Sequence, residues 1–333
     1  MKNKNITIFI ENDSHFRFIK NLIDALIPNN FVTIISLEEI KNKTNFKENQ
    51  NVKIVKNTKE LISYLMNLEC DYFFTTTPGL NKSNFPKSKV FPKSLRPKYI
   101  YLFHSLVSPN EMYVNNSFNY FDYVISPSEI VSKQLKYLIS PKTQVLSFGY
   151  VLFDNLEKFK FKTYEDKVLI APSWGDEGLA KQDNLINQLV NKLKTETNEI
   201  VFRPHPMDLK RVKQYPLNGV ILDMELDLNK LESYKYLVTD CSGIALEFFF
   251  LTGRPTLFVD VPKKIKRKIK SKEKELLFIE DKMKEILGTC INLSENSLEN
   301  IIPKILDFKA AASFIDEVCI TKDVVKKIIS YEY

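Results

Sequence analysis

Short apolar runs alternate with amphipathic stretches along most of the chain. Residues 5–10 (NITIFI) and 31–35 (FVTII) are rich in β-branched and aromatic residues, which is typical of buried strands. Between them, residues 16–27 carry apolar side chains at helical spacing. Further strands are predicted at 52–55, 71–75, 99–103, 123–125 and 144–148. The alternation predicts a mostly parallel sheet with helices on its faces.

A second α/β series begins after the charged stretch 157–167. Its predicted strands are 168–171, 200–202, 220–222, 236–239 and 256–260, and its predicted helices lie near 181–194, 244–251, 275–286, 296–307 and 309–331. The 333 residues are enough for two domains of roughly 150 residues each. We therefore predict two Rossmann-like α/β domains, 1–155 and 156–333. Within the first, residues 76–98 contain four prolines and several lysines, and are interpreted as a long exposed loop.

A turn of small residues, Asp240-Cys241-Ser242-Gly243, separates the strand at 236–239 from the helix at 244–251. Gly253 is expected to end that helix. In such a unit the helix begins at the carboxyl edge of the sheet, where its N–H groups and dipole favour a phosphate. Ser242 and Gly243 would let a phosphate approach the backbone. The alternative is an ordinary capped turn, since Asp and Ser are common N-caps.

All three histidines, His15, His104 and His205, follow predicted strands. The carboxyl ends of strands in a doubly wound sheet face the ligand. His205 stands in Arg203-Pro204-His205-Pro206, where prolines stiffen the chain and both Arg and His suit phosphate oxygens. His104 stands among apolar residues, which suits a neutral imidazole acting as general base on a hydroxyl. The alternatives are a solvated proline-rich turn and a hydrogen-bonded core histidine.

Composition narrows the classes of protein. No apolar run approaches the roughly 20 residues of a membrane span, and the N-terminus predicts a first strand rather than a signal peptide. The four cysteines are widely spaced, which favours reduced core residues in a cytoplasmic protein over a disulfide or zinc framework. A net charge of +7 suits anionic substrates and gives no reason to expect nucleic acid as a partner.

The basic run 263–274 predicts either a solvated face or a weak peripheral contact with an anionic membrane on its cytoplasmic side. The sequence has no dinucleotide fingerprint, P-loop, zinc-protease motif or serine-hydrolase motif, and no clear carboxylate pair. Residues 223–227 (DMELD) are acidic and are interpreted as an exposed loop. We therefore predict a site that uses no metal and no cofactor.

Several stretches resemble, in the same order, the motifs of the CDP-glycerol glycerophosphotransferase family of wall teichoic acid and capsule synthesis. The similar segments are 101–108 (YLFHSLVS), 149–154 (GYVLFD), 171–174 (APSW), 203–206 (RPHP) and 240–255. The chain departs from the family at Val151, usually Pro, at Gly243, usually Ser, and at Glu247, usually Asp. The resemblance spans roughly residues 99–260, and bacterial Kdo and sialyl transferases share the His-Pro and serine-rich elements.

This resemblance implies a glycosyltransferase-B (GT-B) fold, with two Rossmann-like domains facing a cleft and the last helix, about 315–331, packing back on the first domain. It implies an acceptor site in the first domain and a cytidine nucleotide in the second. His104 would be the catalytic base, and His205 would stabilise the donor phosphate. The donor-binding residues would be Arg203, Ser173, Asp240, Ser242, Gly243 and Glu247. His15 and Ser105 are candidates on the acceptor side.

Three hypotheses follow. The first is transfer of a polyol phosphate, such as glycerol phosphate, from a CDP-linked donor to a surface-glycan or lipid-linked acceptor. The second is a glycosyltransferase that uses CMP-sialic acid, CMP-Kdo or another nucleotide sugar. The third is a non-catalytic subunit that binds nucleotide or glycan within a capsule complex.

Overall fold

The structure is a computed structural model of the full chain. It describes residues 1–40, 51–55, 57–160, 162–175, 178–214, 218–224, 227–262, 269–273, 276–293, 305, 308 and 312–333. The chain divides into two compact units. The N-terminal unit comprises Met1–Leu156, Ile269–Leu276 and Glu317–Tyr333, and the C-terminal unit comprises Glu157–Lys268 and Leu277–Asp316.

The N-terminal unit is a parallel sheet with helices on its faces. Its strands are β1 (Asn5–Ile10), β2 (Phe31–Ser36), β3 (Asn51–Ile54), β4 (Tyr72–Thr75), β5 (Lys98–Leu102), β6 (Tyr123–Ile125) and β7 (Gln144–Leu146). Its helices up to β7 are α1 (Asp13–Leu26), α2 (Thr58–Met66), α3 (Pro109–Met112) and α4 (Glu129–Leu135). The strand order is β3-β2-β1-β4-β5-β6-β7, and every pairing is parallel.

The C-terminal unit repeats this plan. Its strands are β8 (Lys167–Ile170), β9 (Glu199–Phe202), β10 (Ile221–Leu222), β11 (Tyr236–Thr239), β12 (Thr256–Val259) and β13 (Gly288–Ile291). Its helices are α5 (Asp183–Leu193), α6 (Leu209–Gln214), α7 (Ile244–Thr252) and α8 (Ile279–Ile286). The order β10-β9-β8-β11-β12-β13 is again fully parallel.

Strand order reverses once in each sheet, between β1 and β4 and between β8 and β11. Ligands of doubly wound sheets bind at this switch point, beyond the carboxyl ends of the strands. The central strands are the most apolar and the most deeply buried. Strand β1 has five consecutive buried residues, and all of β11 and β12 is buried. Such runs fit central strands covered on both faces. The predicted α/β class with two parallel sheets is confirmed.

Helix α1 shows how local sequence begins an element at the switch point. Its N-cap is Asn12, whose side chain accepts a hydrogen bond from the His15 backbone N–H. Six apolar residues of the helix are buried against the sheet, from Phe16 to Leu26. This packing fixes the first turn of α1, and therefore His15, beside the carboxyl end of β1.

The structure differs from the expectations at two places near the end of the chain. The segment 315–331 contains two helices, α9 (Ala312–Val318) and α10 (Val324–Ser330), rather than one. Strand β13 was not predicted, because it is short and begins with Gly288. That glycine lies so close to β12 that an added Cβ would stand 1.6 Å from the Thr256 carbonyl oxygen.

The loop 76–98 was predicted to be exposed, and for part of its length this is wrong. Leu80, Phe85 and Ser88 are buried, and the Phe85 ring packs against Phe9 and Phe73. Burying these side chains removes apolar surface from water and holds the loop against the sheet.

Two further expectations fall outside the described residues: almost all of the helix predicted at 296–307, and positions 263–268 and 274–275 in and beside the basic run. Among the described residues, no helix is long and apolar enough to cross a membrane.

Candidate active site

In the N-terminal unit, polar side chains gather where β1, β4 and β5 end. The His15 and His104 rings are stacked, with centroids 4.4 Å apart and planes 21° from parallel. Thr76, directly after β4, contacts both rings: its hydroxyl lies 3.0 Å from His15 Nδ1, and its carbonyl oxygen lies 3.0 Å from His104 Nδ1. The structure therefore brings two predicted site residues together at the switch point.

The contact with Thr76 fixes the tautomer of His104. A carbonyl oxygen only accepts hydrogen bonds, so Nδ1 of His104 must carry a proton and donate it. In the neutral ring the lone pair then belongs to Nε2. His104 is half-buried, and the Thr76 carbonyl fixes the orientation of its ring.

Ser105 is directed into a network of tyrosines. The Tyr113 hydroxyl lies 3.1 Å from that of Tyr101 and is also hydrogen-bonded to Ser105. Burial raises the pKa of Tyr113 to about 12, so its hydroxyl stays protonated at neutral pH. Ser105 thus has a structural partner within the unit.

Sequence reasoning did not single out Thr76, Thr77 and Glu11 as site residues. The Thr77 hydroxyl donates to Glu11 Oε2 at 3.1 Å, which joins the end of β4 to the end of β1 across the switch point. The available signal was a run of polar residues directly after two buried strands.

In the C-terminal unit, the Asp240 carboxylate holds the switch point together. Its oxygens accept hydrogen bonds from Ser173 N at 2.8 Å, Ser173 Oγ at 2.8 Å, Leu179 N at 3.1 Å and Cys241 N at 2.7 Å. Asp240 is fully buried. The carboxylate therefore organises the loops after β8 and β11, and neither Asp240 nor Ser242 caps α7.

Cys241 lies beside this carboxylate. Burial, together with the nearby Asp240 charge, raises the pKa of its thiol from 9.0 to about 12. Its Sγ lies 3.8 Å from Ser173 Oγ. The thiol is a buried, protonated group that fills space behind the turn.

The N-cap of helix α7 is Gly243, which has no side chain to cap the helix. Ser242 and Gly243 are partly exposed. The Ala245 N–H already donates to the Ser242 carbonyl at 3.1 Å, so the amides suited to an anion are those of Gly243 and Ile244. Glu247 stands in the first turn and is buried, with 4% of its surface exposed. The predicted helix stop is confirmed: Gly253 has φ of 67°, the left-handed conformation that glycine adopts at little cost.

His205 follows β9 and has the opposite tautomer to His104. Its Nδ1 accepts a hydrogen bond from the Met207 backbone N–H at 3.2 Å, so in the neutral ring the proton is on Nε2. The ring of Trp174, which follows Ser173, lies 5.9 Å from the His205 ring between centroids. Trp174 thereby links the His205 loop to the loop that Asp240 holds.

Arg203 is placed differently from the other predicted donor-binding residues. Its Nε and Nη2 donate to Asp223 Oδ2 at 3.0 and 2.6 Å, and only 3% of the residue is exposed. Asp223 was interpreted as part of an exposed acidic loop, which is wrong, because the residue is buried in this ion pair. Breaking such a pair would leave a buried charge without its partner, which is strongly destabilising. Arg203 and Asp223 therefore fix the path of the chain as it leaves β9.

Asp154 lies in the segment 149–154, one of those that resemble the family motifs, and its carboxylate also accepts a hydrogen bond from a backbone N–H. Its Oδ1 accepts from the Val324 N–H at 2.6 Å, at the start of α10. This bond ties the C-terminal helix to the chain that follows β7.

The model of one protein family, CDP-glycerol:poly(glycerophosphate) glycerophosphotransferase, matches residues 30–265. The chain belongs to this family. It is therefore an enzyme, a transferase of the glycerophosphotransferase type. A search of curated proteins gives no match.

Solved structures similar to this glycerophosphotransferase include the wall teichoic acid polymerase TagF. One TagF variant has 14% sequence identity and a TM-score of 0.62 over 98% of this chain and 87% of the other. A TagF variant soaked with CDPG has 15% identity and a TM-score of 0.61, covering 99% and 91%. The UDP-GlcNAc 2-epimerase of Methanocaldococcus jannaschii has 13% identity and a TM-score of 0.62, covering 98% of both chains. The fold is of the GT-B type.

Across the described part of this glycerophosphotransferase, no group of three or more His, Cys, Asp or Glu residues is arranged to hold a metal ion. Metal independence stays a prediction, as do the roles of the individual site residues.

Proposed function

We propose that the enzyme transfers glycerol phosphate from CDP-glycerol to a hydroxyl of a cell-surface glycan, either a teichoic-acid-like or a capsule polymer. Family membership supports the donor and the transferred group. The observation that carries the mechanism is the pair of opposite tautomers: His104 has its lone pair on Nε2, and His205 has its proton on Nε2. One ring is set to accept a proton, and the other is set to donate a hydrogen bond.

His104 acts as the general base. The acceptor hydroxyl gives its proton to Nε2 while its oxygen attacks the phosphorus that carries glycerol. As the imidazolium forms, the Nδ1–H bond to the Thr76 carbonyl strengthens, because a charged donor makes a stronger hydrogen bond. His15, stacked on His104, holds the ring in the plane that this transfer requires.

His205 and the start of α7 stabilise the donor. Nε2–H of His205 donates to a phosphate oxygen, and the amides of Gly243 and Ile244 at the start of α7 bind the charge of the diphosphate. Asp240 takes no direct part. It holds the Ser173 and Cys241 backbone so that these groups are in place before the donor arrives.

The step balances as a simple displacement. A bond forms between the acceptor oxygen and the glycerol-bearing phosphorus, and the bond from that phosphorus to the bridging oxygen breaks. The bridging oxygen leaves with CMP, which carries the electron pair. The hydroxyl proton ends on His104 and is released to solvent. No metal or cofactor enters this scheme.

The acceptor and the location of the enzyme belong to the same proposal. The acceptor is a growing surface polymer, free or lipid-linked, and the enzyme works at the inner face of the membrane as a peripheral protein. The basic run 263–274 would attract an anionic surface.

Donor preference is tested by measuring CMP release from CDP-glycerol, CMP-sialic acid and CMP-Kdo, each with a glycerol-phosphate-primed acceptor. We expect release only from CDP-glycerol, with glycerol phosphate added to the acceptor. Release from a CMP-sugar with transfer of the sugar would favour the glycosyltransferase hypothesis and contradict ours.

Donor binding has a built-in reporter, since Trp174 is the only tryptophan in the chain and lies beside His205. We expect CDP-glycerol to change its fluorescence in a saturable way. A His205→Gln variant should weaken that response and a His104→Gln variant should not. Equal weakening by both variants would argue against the separate roles. Binding without turnover of any donor would support the non-catalytic alternative.

A further inference from the structure

An ordered basic tip projects from the N-terminal unit. The segment 76–98 contains five lysines and one arginine but no Asp or Glu. Near its end, residues 89–96, here named the tip, carry Phe91 with 86% of its surface exposed and Leu95 with 43% exposed. Lys89, Lys93 and the following Lys98 are exposed as well.

Hydrogen bonds hold the backbone of the tip in place, so the exposure of Phe91 does not come from a frayed loop. Lys89 N donates to the Met66 carbonyl at 2.8 Å, at the end of α2. Arg96 Nε donates to the Val90 carbonyl at 2.7 Å and closes the tip on itself. Ser88 N donates to the Tyr99 hydroxyl at 2.7 Å beneath it. A rigid tip loses little conformational entropy when it docks.

The direction of strand β5 shows at which edge of the sheet the tip lies. It leads into Lys98, the first residue of β5, whereas His104 lies two residues beyond Leu102, the last residue of that strand. The tip therefore lies toward the amino edge of the sheet, opposite the candidate site. Phe31, the first residue of β2 and 72% exposed, lies at the same edge.

We propose that the tip docks the enzyme on an anionic bilayer. Phe91 and Leu95 enter the boundary between head groups and acyl chains, while Lys89, Lys93 and Lys98 bind anionic head groups. A soluble polyanion would use the lysines but gives no reason for an exposed phenylalanine. A protein partner fits less well, because protein interfaces are depleted in lysine. This contact is separate from the basic run at 263–274.

The test is co-sedimentation of the full-length protein with vesicles of phosphatidylcholine, with and without phosphatidylglycerol. We expect binding only to the anionic vesicles. Phe91→Ser should weaken it about tenfold, because an aromatic side chain no longer leaves water. The double variant Lys89→Glu/Lys93→Glu should weaken it about 25-fold or more, at about fivefold for each lysine.

Matched controls come from the same unit. Tyr137→Ser removes another exposed ring, and Lys136→Glu/Lys142→Glu makes the same charge change elsewhere. Both should bind vesicles like the unaltered protein. All variants should keep the CMP-release rate on a soluble acceptor, so a failure of the docking proposal is distinguishable from a failure of the proposed chemistry.

Three results would overturn the proposal. In the first, the tip variants bind anionic vesicles as well as their controls do. In the second, Lys263→Glu/Lys264→Glu abolishes binding while the tip variants retain it, which assigns the contact to the basic run. In the third, the tip variants lose binding to inorganic polyphosphate but keep binding to vesicles, which assigns the tip to a soluble polyanion.

Discussion

The two sheets share a strand order around their switch points and use it in unlike ways. In the N-terminal unit the switch point presents side chains: His15 and His104 stand at the edge, and the Thr76 backbone and hydroxyl orient them. In the C-terminal unit a buried carboxylate, Asp240, lies at the equivalent point and holds backbone. There the groups left for a ligand are amides, a helix start and one imidazole.

The difference matches the roles proposed above for the two units. Removing a proton needs one basic nitrogen with a defined lone pair, which a backbone carbonyl can impose on a histidine. Binding a diphosphate needs several N–H groups that converge, which a loop can offer only if something fixes its backbone. The N-terminal switch point is therefore built around the His104 ring. The C-terminal switch point is built around the Asp240 carboxylate, which accepts the hydrogen bonds that hold its loops.

The largest effect expected is on turnover, from His104→Gln. Glutamine retains a polar group near the position of Nε2 but cannot take the proton, so we expect kcat to fall about 100- to 10,000-fold. Steady-state kinetics with CDP-glycerol would measure this, and circular dichroism would check the fold. A rate within threefold of the unaltered enzyme would remove His104 from the role of base.

Next in size is the effect of Asp240→Asn on stability. The new amide N–H would face the buried Leu179 N–H, which leaves a donor without an acceptor, so unfolding should become easier by about 2–3 kcal/mol. Urea titration measures this, and the Trp174 response should also weaken. The control is Asp227→Asn, an exposed residue whose Oδ1 accepts from Asn229 N, with an expected change below about 0.5 kcal/mol. Similar losses in both variants would mean that Asp240 does not hold the loops.

A smaller effect on kcat separates the two contacts of His15. His15→Phe keeps a ring stacked on His104, while His15→Asn keeps a nitrogen near Thr76 and loses the ring. We expect the asparagine variant to lose about two- to tenfold in kcat, the range expected for one aromatic contact, and the phenylalanine variant to stay near the parent. KM should change little in either. If the order is reversed, the Thr76 bond rather than the ring positions His104.

The smallest effect concerns Cys241. Because burial raises its pKa to about 12, the thiol stays protonated at pH 8, and iodoacetamide should modify the exposed Cys290 long before Cys241. The folded pKa lies above the unfolded value, so the contribution of this thiol to stability is complete below pH 9 and is lost as pH rises toward 12. Peptide mapping after brief alkylation tests the first point. Equal labelling of both cysteines would show that Cys241 is accessible.

The strands were predictable because a continuous apolar run, such as 236–239, indicates a strand that is buried on both faces in the centre of a parallel sheet. The positions of the three histidines beyond strand ends were predictable for the same reason, since each follows such a run. Asp240 was recognised as important, but its function was not, since its partner Ser173 is 67 residues away and only the switch in strand order brings them together. Asp223 was misjudged because it stands in an acidic stretch, 223–227, and nothing local indicates its pair with Arg203, which is 20 residues away. The tautomers of His104 and His205 depend on single backbone atoms, which no pattern of residue types encodes.

A parallel sheet has two ends that cannot be exchanged, and the N-terminal unit bears different features at each. Phe31 and the tip lie near the amino ends of its strands, and the His15 and His104 rings lie near the carboxyl ends. Under the two proposals above, substitutions near the strand starts change membrane binding and leave the reaction intact, and substitutions near the strand ends change the reaction and leave membrane binding intact. The two properties can therefore be changed independently of each other in this fold.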